Sequence, residues 1–261
     1  MYDLIDKISA VLPLALLVFA RMSAMITTMP IFGYGQVSVK VRMMLSVVLS
    51  FIVIPLVADV YHLEYTSFLA LFFDVIREVF IGMIIGFGAR LVFEGFAMAG
   101  SYIGFQMGMA IMNVFDPSSE QQQPFISNFW LLVMVVFFLV TDSHYFLVDV
   151  LFQNYASIHL GSATFRPLIG RTFIEGGQLI YYLALQFAAP TIIVILLLDV
   201  SVAFMARVMP QLNIFFISLP LKIGLGIFML IVSLRIFQTL FAYIFGQLES
   251  FVLTLMTGFG G

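Results

Sequence analysis

The sequence predicts an all-α membrane protein built from bent helical hairpins. Hydrophobic residues make up 62% of the 261 residues and charged residues only 10%, whereas soluble domains are about 45–50% apolar. No segment shows the alternation of a strand, and the need to satisfy backbone hydrogen bonds within a bilayer favours helices. One helical membrane domain without a separate catalytic module is therefore predicted.

The first apolar stretch covers residues 8–29. Its length is enough for a membrane span, which takes about 20 residues. Asp3 and Asp6 precede it, so the basic head of a secretory signal is missing, and Arg21 interrupts the apolar run before a cleavage site. A retained first helix is expected, with Pro13 inside it.

The next two stretches differ in character. Residues 43–58 form a short apolar segment, whereas 68–112 are nearly continuous. Six polar side chains interrupt the long stretch: Asp74, Arg77, Glu78, Arg90, Glu94 and Gln106. Charged groups are costly beside lipid. This stretch is therefore expected to pack mostly against protein.

The second half of the chain contains cleaner apolar segments. Residues 129–140 are short, and a second hairpin half is expected to continue through Phe152. The cleanest apolar span is 179–198 and the next is 212–234, followed by an amphipathic stretch at 236–256. Turn-forming residues predict breaks between hairpins at 116–124 and 161–177.

Prolines and glycines predict the shapes of these helices. Pro190, Pro210 and Pro220 each remove a helical hydrogen bond, so helices should bend, break or end there. Small residues permit close helix approach, and they recur at Gly82, Gly86, Gly88, Gly95, Ala99, Gly100, Gly104 and Gly108.

Charge spacing suggests contacts inside or between subunits. Asp74 and Arg77, like Arg90 and Glu94, are spaced so that each pair shares a helix face. Local neutralisation and contact with neighbouring subunits both remain open for them.

Asp199 and Arg207 share a face but lie roughly 12 Å apart along a helix, so each needs another partner. Polar contacts between hairpins or subunits are predicted for nine residues: Arg77, Glu78, Arg90, Glu94, Asp199, Arg207, Gln211, Asn213 and Lys222.

Several function classes are excluded or disfavoured. The chain has no cysteine, and its net charge of −3 offers no basic stripe for nucleic acid. His62, His144 and His159 lack metal-ligand spacing, and neither a Gly-x-Ser-x-Gly elbow nor a nucleotide loop occurs. We therefore expect no enzyme activity and no cofactor.

One family resemblance covers essentially the whole chain. Within apolar sequence, residues 199–222 contain, in order, Arg207, Pro210-Gln211-Leu212-Asn213, Pro220 and Lys222. Two further parts of the sequence carry the same resemblance. They are residues 30–33 with 39–42, and Gly104-Phe105-Gln106-Met107-Gly108 with Asp116-Pro117. These motifs resemble the FliR family, the export-gate component of the flagellar type III secretion apparatus and its injectisome counterparts.

A second likeness lies within the first. Ala188-Ala189-Pro190, Gln211-Leu212-Asn213 and Pro220-Leu221-Lys222-Ile223 are similar to the hairpin of the small FliQ partner. The resemblance thus implies a FliP-like part at 1–177, including a central plug loop, and a FliQ-like part at 178–261. It also implies tilted hairpins in a cone held largely above the bilayer plane.

The resemblance implies partners and a role. FliP-like and FliQ-like subunits, an FlhB-like gate protein and rod components are the expected partners, in the bacterial inner membrane at the flagellar basal body. Together they would conduct unfolded export substrates.

By the same resemblance, a plug within residues 107–122 would close the conduit. Nine residues are assigned to the plug region: Gln106, Met107, Met109, Ile111, Met112, Val114, Phe115, Asp116 and Pro117. Methionine is also common core filling. The residue pattern by itself therefore leaves both readings open, and a small-solute secondary transporter remains the alternative function.

Overall fold

Seven helices make up the described chain. The computed structural model describes residues 2–35, 37–58, 61, 65, 67–109, 125–161, 166–211 and 213–259, with the backbone alone for residues 2–10. The helices are α1 (Tyr2–Thr28), α2 (Val39–Ala58), α3 (Phe68–Gln106), α4 (Phe125–Val140), α5 (His144–Ser157), α6 (Pro167–Val208) and α7 (Ile214–Thr257). These residues contain no strand, and the predicted all-α class is confirmed.

Within the described residues, four helices are long and apolar enough to cross a membrane, namely α1, α2, α6 and α7. A fifth span results if α4 and α5, which meet at a bend of 76°, count as one. The 39-residue α3 is not among these candidates. Many α3 side chains between residues 78 and 103 are buried inside the protein, which agrees with the expectation that α3 packs mostly against protein.

Two predicted boundaries are wrong. The break expected at 161–177 is shorter, because α6 already begins at Pro167. Proline is favoured in the first turn of a helix, where its missing N–H costs nothing. The predicted stretches 212–234 and 236–256 are not separate, because one helix, α7, begins at Ile214 and runs through Arg235. A charged side chain that is exposed does not interrupt backbone hydrogen bonding.

The prolines have two different outcomes. Helix α6 ends at Val208, just before Pro210, in agreement with the prediction that a helix bends, breaks or ends at this proline. Pro190 and Pro220 lie inside α6 and α7, so neither residue ends its helix.

The chain forms two compact units. Unit 1 contains Met1–Leu91, Asp142–Gly176 and Gln247–Gly261, and unit 2 contains Val92–Thr141 and Gly177–Gly246. Helices α3, α6 and α7 each contribute residues to both. The family resemblance divides the chain differently, into a FliP-like part that ends at residue 177 and a FliQ-like part after it. That division rests on sequence resemblance and not on compactness, and it stays a prediction.

In unit 1, α1 and α3 approach closely at two glycines. A Cβ added at Gly82 would lie 2.4 Å from the Arg21 carbonyl oxygen, and one added at Gly86 would lie 2.7 Å from the Met25 carbonyl oxygen. No side chain fits at such distances. These two glycines therefore allow the backbones of α1 and α3 to meet, as small residues do at membrane helix interfaces.

Aromatic side chains fill the interior of unit 2. Trp130 of α4 meets Phe187 of α6 edge-on, with ring centroids 4.6 Å apart, and Phe96 of α3 lies 5.2 Å from both Phe187 and Phe237. Edge-to-face aromatic pairs of this kind add to the stabilisation from burial. The cluster therefore joins α3, α4, α6 and α7.

Candidate functional site

The predicted plug lies only in part within the described chain. Gln106, Met107 and Met109 are described. The other assigned residues fall in 110–124, outside the described residues: Ile111, Met112, Val114, Phe115, Asp116 and Pro117. The structure describes the two flanks of this segment, which are the end of α3 with residues 107–109 and the start of α4.

The N-terminal flank leaves α3 at a glycine. The helix ends at Gln106, and the Met107 N–H still donates to the Ile103 carbonyl at 2.9 Å. Gly108 then adopts φ of 79°, the left-handed conformation that terminates many helices and that glycine adopts without strain. The direction of the chain after α3 is therefore set at Gly108.

Met107 is completely buried against α7. A Cβ added at Gly226 would lie 2.5 Å from Met107 Cε and 2.6 Å from its Cγ and Sδ. The absence of a side chain at Gly226 thus creates the space that Met107 fills. Both residues belong to unit 2.

The C-terminal flank is held on the same helix, α3. A Cβ at Gly100 would lie 2.6 Å from the Ile126 carbonyl oxygen and from Ser127 Cα. The Ser127 hydroxyl donates to the Ala97 carbonyl at 2.7 Å. Both flanks of the predicted plug are therefore packed on described parts of unit 2.

An ion pair joins α6 to α7. Lys222 Nζ lies 2.7 Å from Asp199 Oδ1, and both side chains keep some exposure. This contact supplies Asp199 with the partner that its spacing from Arg207 demanded. Arg207, Gln211 and Asn213 have exposed side chains near the turn between the two helices.

A buried polar network occupies unit 1. Arg21 Nε of α1 donates to Glu78 Oε2 of α3 at 2.5 Å, and neither side chain is exposed. Arg21 Nη1 also donates to Asn154 Oδ1 at 3.2 Å and to the Ile158 carbonyl at 2.9 Å. The guanidinium lies over the Tyr155 ring. One cation thus links α1, α3 and the end of α5.

Adjacent charges on α3 hold the turn after α5. Glu78 Oε1 accepts from the Gly161 N–H at 2.9 Å, and Arg77 Nη1 donates to the Gly161 carbonyl at 2.8 Å. Gly161 has φ of 73°, so glycine suits this position. Both backbone groups of a single turn residue are satisfied by neighbouring α3 side chains.

Asp74 completes this arrangement. It accepts from Arg77 Nη1 at 2.9 Å and from the Tyr65 hydroxyl at 2.8 Å. Burial, together with the hydrogen bond to Asp74, raises the pKa of Tyr65. The phenol therefore keeps its proton at neutral pH and remains a donor.

The second predicted pair, Arg90 and Glu94, lies further along α3. The Arg90 guanidinium lies 4.8 Å from the centroid of the Tyr34 ring, a cation–π geometry. Glu94 is half-buried on the next turn of α3. Among the described residues, no group of three or more His, Asp or Glu could hold a metal ion.

Sequence reasoning missed four residues of these contacts. Arg21 and Asn154 carry the buried network, and Gly161 and Gly226 receive neighbouring groups at close range. Arg21 did stand out as a charge within an apolar run. Its partner could not be read from the sequence, because Glu78 follows 57 residues later on another helix.

The long apolar helices define a polytopic all-α membrane protein. The chain matches the model of bacterial export proteins, family 1, over residues 12–248. It belongs to this family, the FliR family.

Curated relatives agree along most of the chain. The flagellar biosynthetic protein FliR of Bacillus subtilis (strain 168) is 31% identical over 238 residues, which cover 88% of this chain and 90% of the relative. FliR of Escherichia coli (strain K12) is 28% identical, with 87% of each chain covered. FliR of Aquifex aeolicus (strain VF5) is 26% identical, with 84% of each covered.

Proposed function

We propose that this protein is a core subunit of the flagellar type III secretion export gate. With FliP-like and FliQ-like subunits it forms the conduit that carries unfolded flagellar proteins across the bacterial inner membrane, at the basal body. An FlhB-like gate protein and rod components are further neighbours. No catalytic step is assigned to the chain, because the proposed work is to form and close a passage.

One observation carries this proposal beyond family membership. Charged side chains lie among exposed apolar ones on α6 and α7. Arg207 and Arg235 are exposed there, as are Phe204, Val208, Phe228 and Ile231. A mixed surface of this kind is costly beside lipid alone, whereas sister subunits can cover the apolar area and pair the charges. The surface therefore favours a subunit of a larger assembly.

Affinity purification of the tagged chain in mild detergent, followed by intact-mass measurement, tests the assembly. FliP-like and FliQ-like chains are expected to co-purify in a fixed ratio. The matched sample is the double variant Arg207→Glu/Arg235→Glu, which should retain less of both partners. A solitary wild-type chain would contradict the proposal.

The plug is the second part of the proposal. Both flanks of the 110–124 segment pack within unit 2, which supports a plug whose two ends are held in place. The soft side chains assigned to it suit a hydrophobic constriction that excludes ions by dewetting. Closure of this type resists leakage without binding cargo tightly.

Deletion of residues 110–114 tests the plug. Cells that assemble the shortened complex should become more permeable to ions and small molecules than cells with the wild-type complex. Cells lacking the chain serve as the control, because they have no conduit to leak. Normal permeability in cells with a demonstrated complex would count against a plug.

The family match favours protein export over small-solute transport. If the protein were instead a small-solute transporter, the purified chain would bind one small solute stoichiometrically without partners. Equilibrium binding on the purified chain therefore separates the two functions.

A further inference from the structure

Gly226 of α7 and Met107 at the end of α3 fit each other closely. Three consecutive side-chain atoms of Met107 lie within 2.6 Å of the position that a Cβ at Gly226 would take. Real Cβ contacts do not come so near. Any side chain at Gly226 must therefore displace most of the Met107 side chain and not only its terminal methyl group. The fit is therefore specific to glycine at this position.

A second glycine on the same helix shows that this fit is local. A Cβ added at Gly224 would meet no atom within 4 Å. The backbone cost of glycine in a helix is the same at both positions. Packing against Met107 accordingly distinguishes Gly226 from Gly224.

Met107 stands at the point where the chain leaves α3. Its N–H makes one of the last helical hydrogen bonds, and Gly108 follows in the left-handed conformation. The side chain is fully buried although the helix has already ended. Its side chain thus packs on Gly226 directly before residues 108 and 109.

We propose that Gly226 is a positioning residue, which holds Met107 and thereby fixes the resting place of the Gly108–Met109 turn. The proposal rests on the proposed function, since this turn is the described start of the plug region. The FliQ-like part of the chain would then hold the plug region of the FliP-like part through one methionine.

The displacement should be local because methionine is flexible. An unbranched thioether side chain can repack into another rotamer, whereas overpacking of a rigid core is destabilising. Gly226→Ala is therefore expected to shift Met107 out of its place while the chain still folds.

Thiol labelling measures this shift directly. The chain contains no cysteine, so Met109→Cys introduces a single reporter beside the contact. The full chain is labelled with a maleimide in membranes of its native cells. In this background Gly226→Ala should raise the labelling rate about tenfold, equivalent to ~1.4 kcal/mol in favour of the displaced state. Gly224→Ala should leave the rate unchanged.

Met107→Ala shows whether the effect passes through the methionine. This variant removes the side chain without adding atoms at Gly226, and it should raise labelling as well. Adding Gly226→Ala to Met107→Ala should then change little, because no long side chain remains to be displaced. Such non-additivity is the mark of a direct contact.

The proposal is overturned if labelling stays at the wild-type rate in Gly226→Ala. It is equally overturned if Gly226→Ala raises labelling by the same factor in the Met107→Ala background. Should Gly226→Ala fail to accumulate, Met107→Ala alone decides, and an unchanged rate rejects the contact. The 110–114 deletion tests the plug separately, since its leak does not depend on labelling at residue 109.

Discussion

Arg21 of α1 and Glu78 of α3 form an ion pair in which neither side chain is exposed to solvent. A buried pair of this kind does not by itself stabilise a fold, because desolvation offsets the attraction between the charges. Its geometry does make the two charges depend on each other. Since Glu78 also binds the turn at Gly161, the pair connects α1 to the chain that follows α5.

Removal of one charge from this pair should be severe. Glu78→Gln leaves the Arg21 guanidinium buried without its counterion, and we expect a loss of about 3–5 kcal/mol in the free energy of unfolding. Denaturant titration in mixed micelles measures the loss. The control is Glu175→Gln, an exposed position on α6, which should change the stability by less than about 0.5 kcal/mol. Equal losses in the two variants would argue against a critical buried pair.

Replacing glycine by alanine should lower the stability at one site and raise it at another. Gly82→Ala places a Cβ 2.4 Å from the backbone oxygen of Arg21, which cannot move without shifting α1. We expect about 1–3 kcal/mol of destabilisation. Gly177→Ala on α6 meets open space and should stabilise by up to ~1 kcal/mol, since alanine is the better helix former. The same micelle titration measures both, and a stabilising effect at Gly82 would refute the close approach of α1 and α3.

The sequence predicted the helical class, but it did not predict which charged side chains pair. Charges inside apolar runs are visible in the sequence, because hydropathy and charge are properties of single residues. Their partners are not visible. Arg21 meets Glu78, and Asp199 meets Lys222, only after the helices have packed.

The predictions of helix boundaries were wrong for a related reason. Gly176 and Gly177 suggest a turn by composition, yet both lie within α6. A Cβ at Gly176 would overlap the Phe251 ring, whose Cζ lies 2.4 Å away. Glycine at this position serves helix packing, a role that local turn chemistry cannot reveal. The apolar stretches 212–234 and 236–256 are likewise separated by Arg235, whose exposed side chain leaves α7 intact.

The pair formed by Asp199 and Lys222 should matter more for assembly than for folding. Both side chains are partly exposed, so Lys222→Ala should cost the isolated chain less than about 1 kcal/mol. Charge reversal at Asp199, by Asp199→Lys, places two cations side by side and should reduce co-purification of partners. The exchange Asp199→Lys/Lys222→Asp is expected to restore it. If the exchange failed to restore partners, Asp199 would need a partner other than Lys222.

Two phenylalanines on α7 should separate core packing from subunit contact. Phe237 is fully buried against Trp130, Phe187 and Phe96, whereas Phe228 is 59% exposed. Phe237→Ala should lower the free energy of unfolding by about 3–5 kcal/mol, because it empties the centre of the aromatic cluster. Phe228→Ala should leave stability nearly unchanged and instead reduce the amount of FliP-like and FliQ-like chain that co-purifies. Micelle titration and intact-mass measurement on the same two preparations check both halves. If Phe228→Ala kept its partners in full, the exposed face of α7 at that residue would not be a subunit contact, since truncating a buried interface anchor weakens binding.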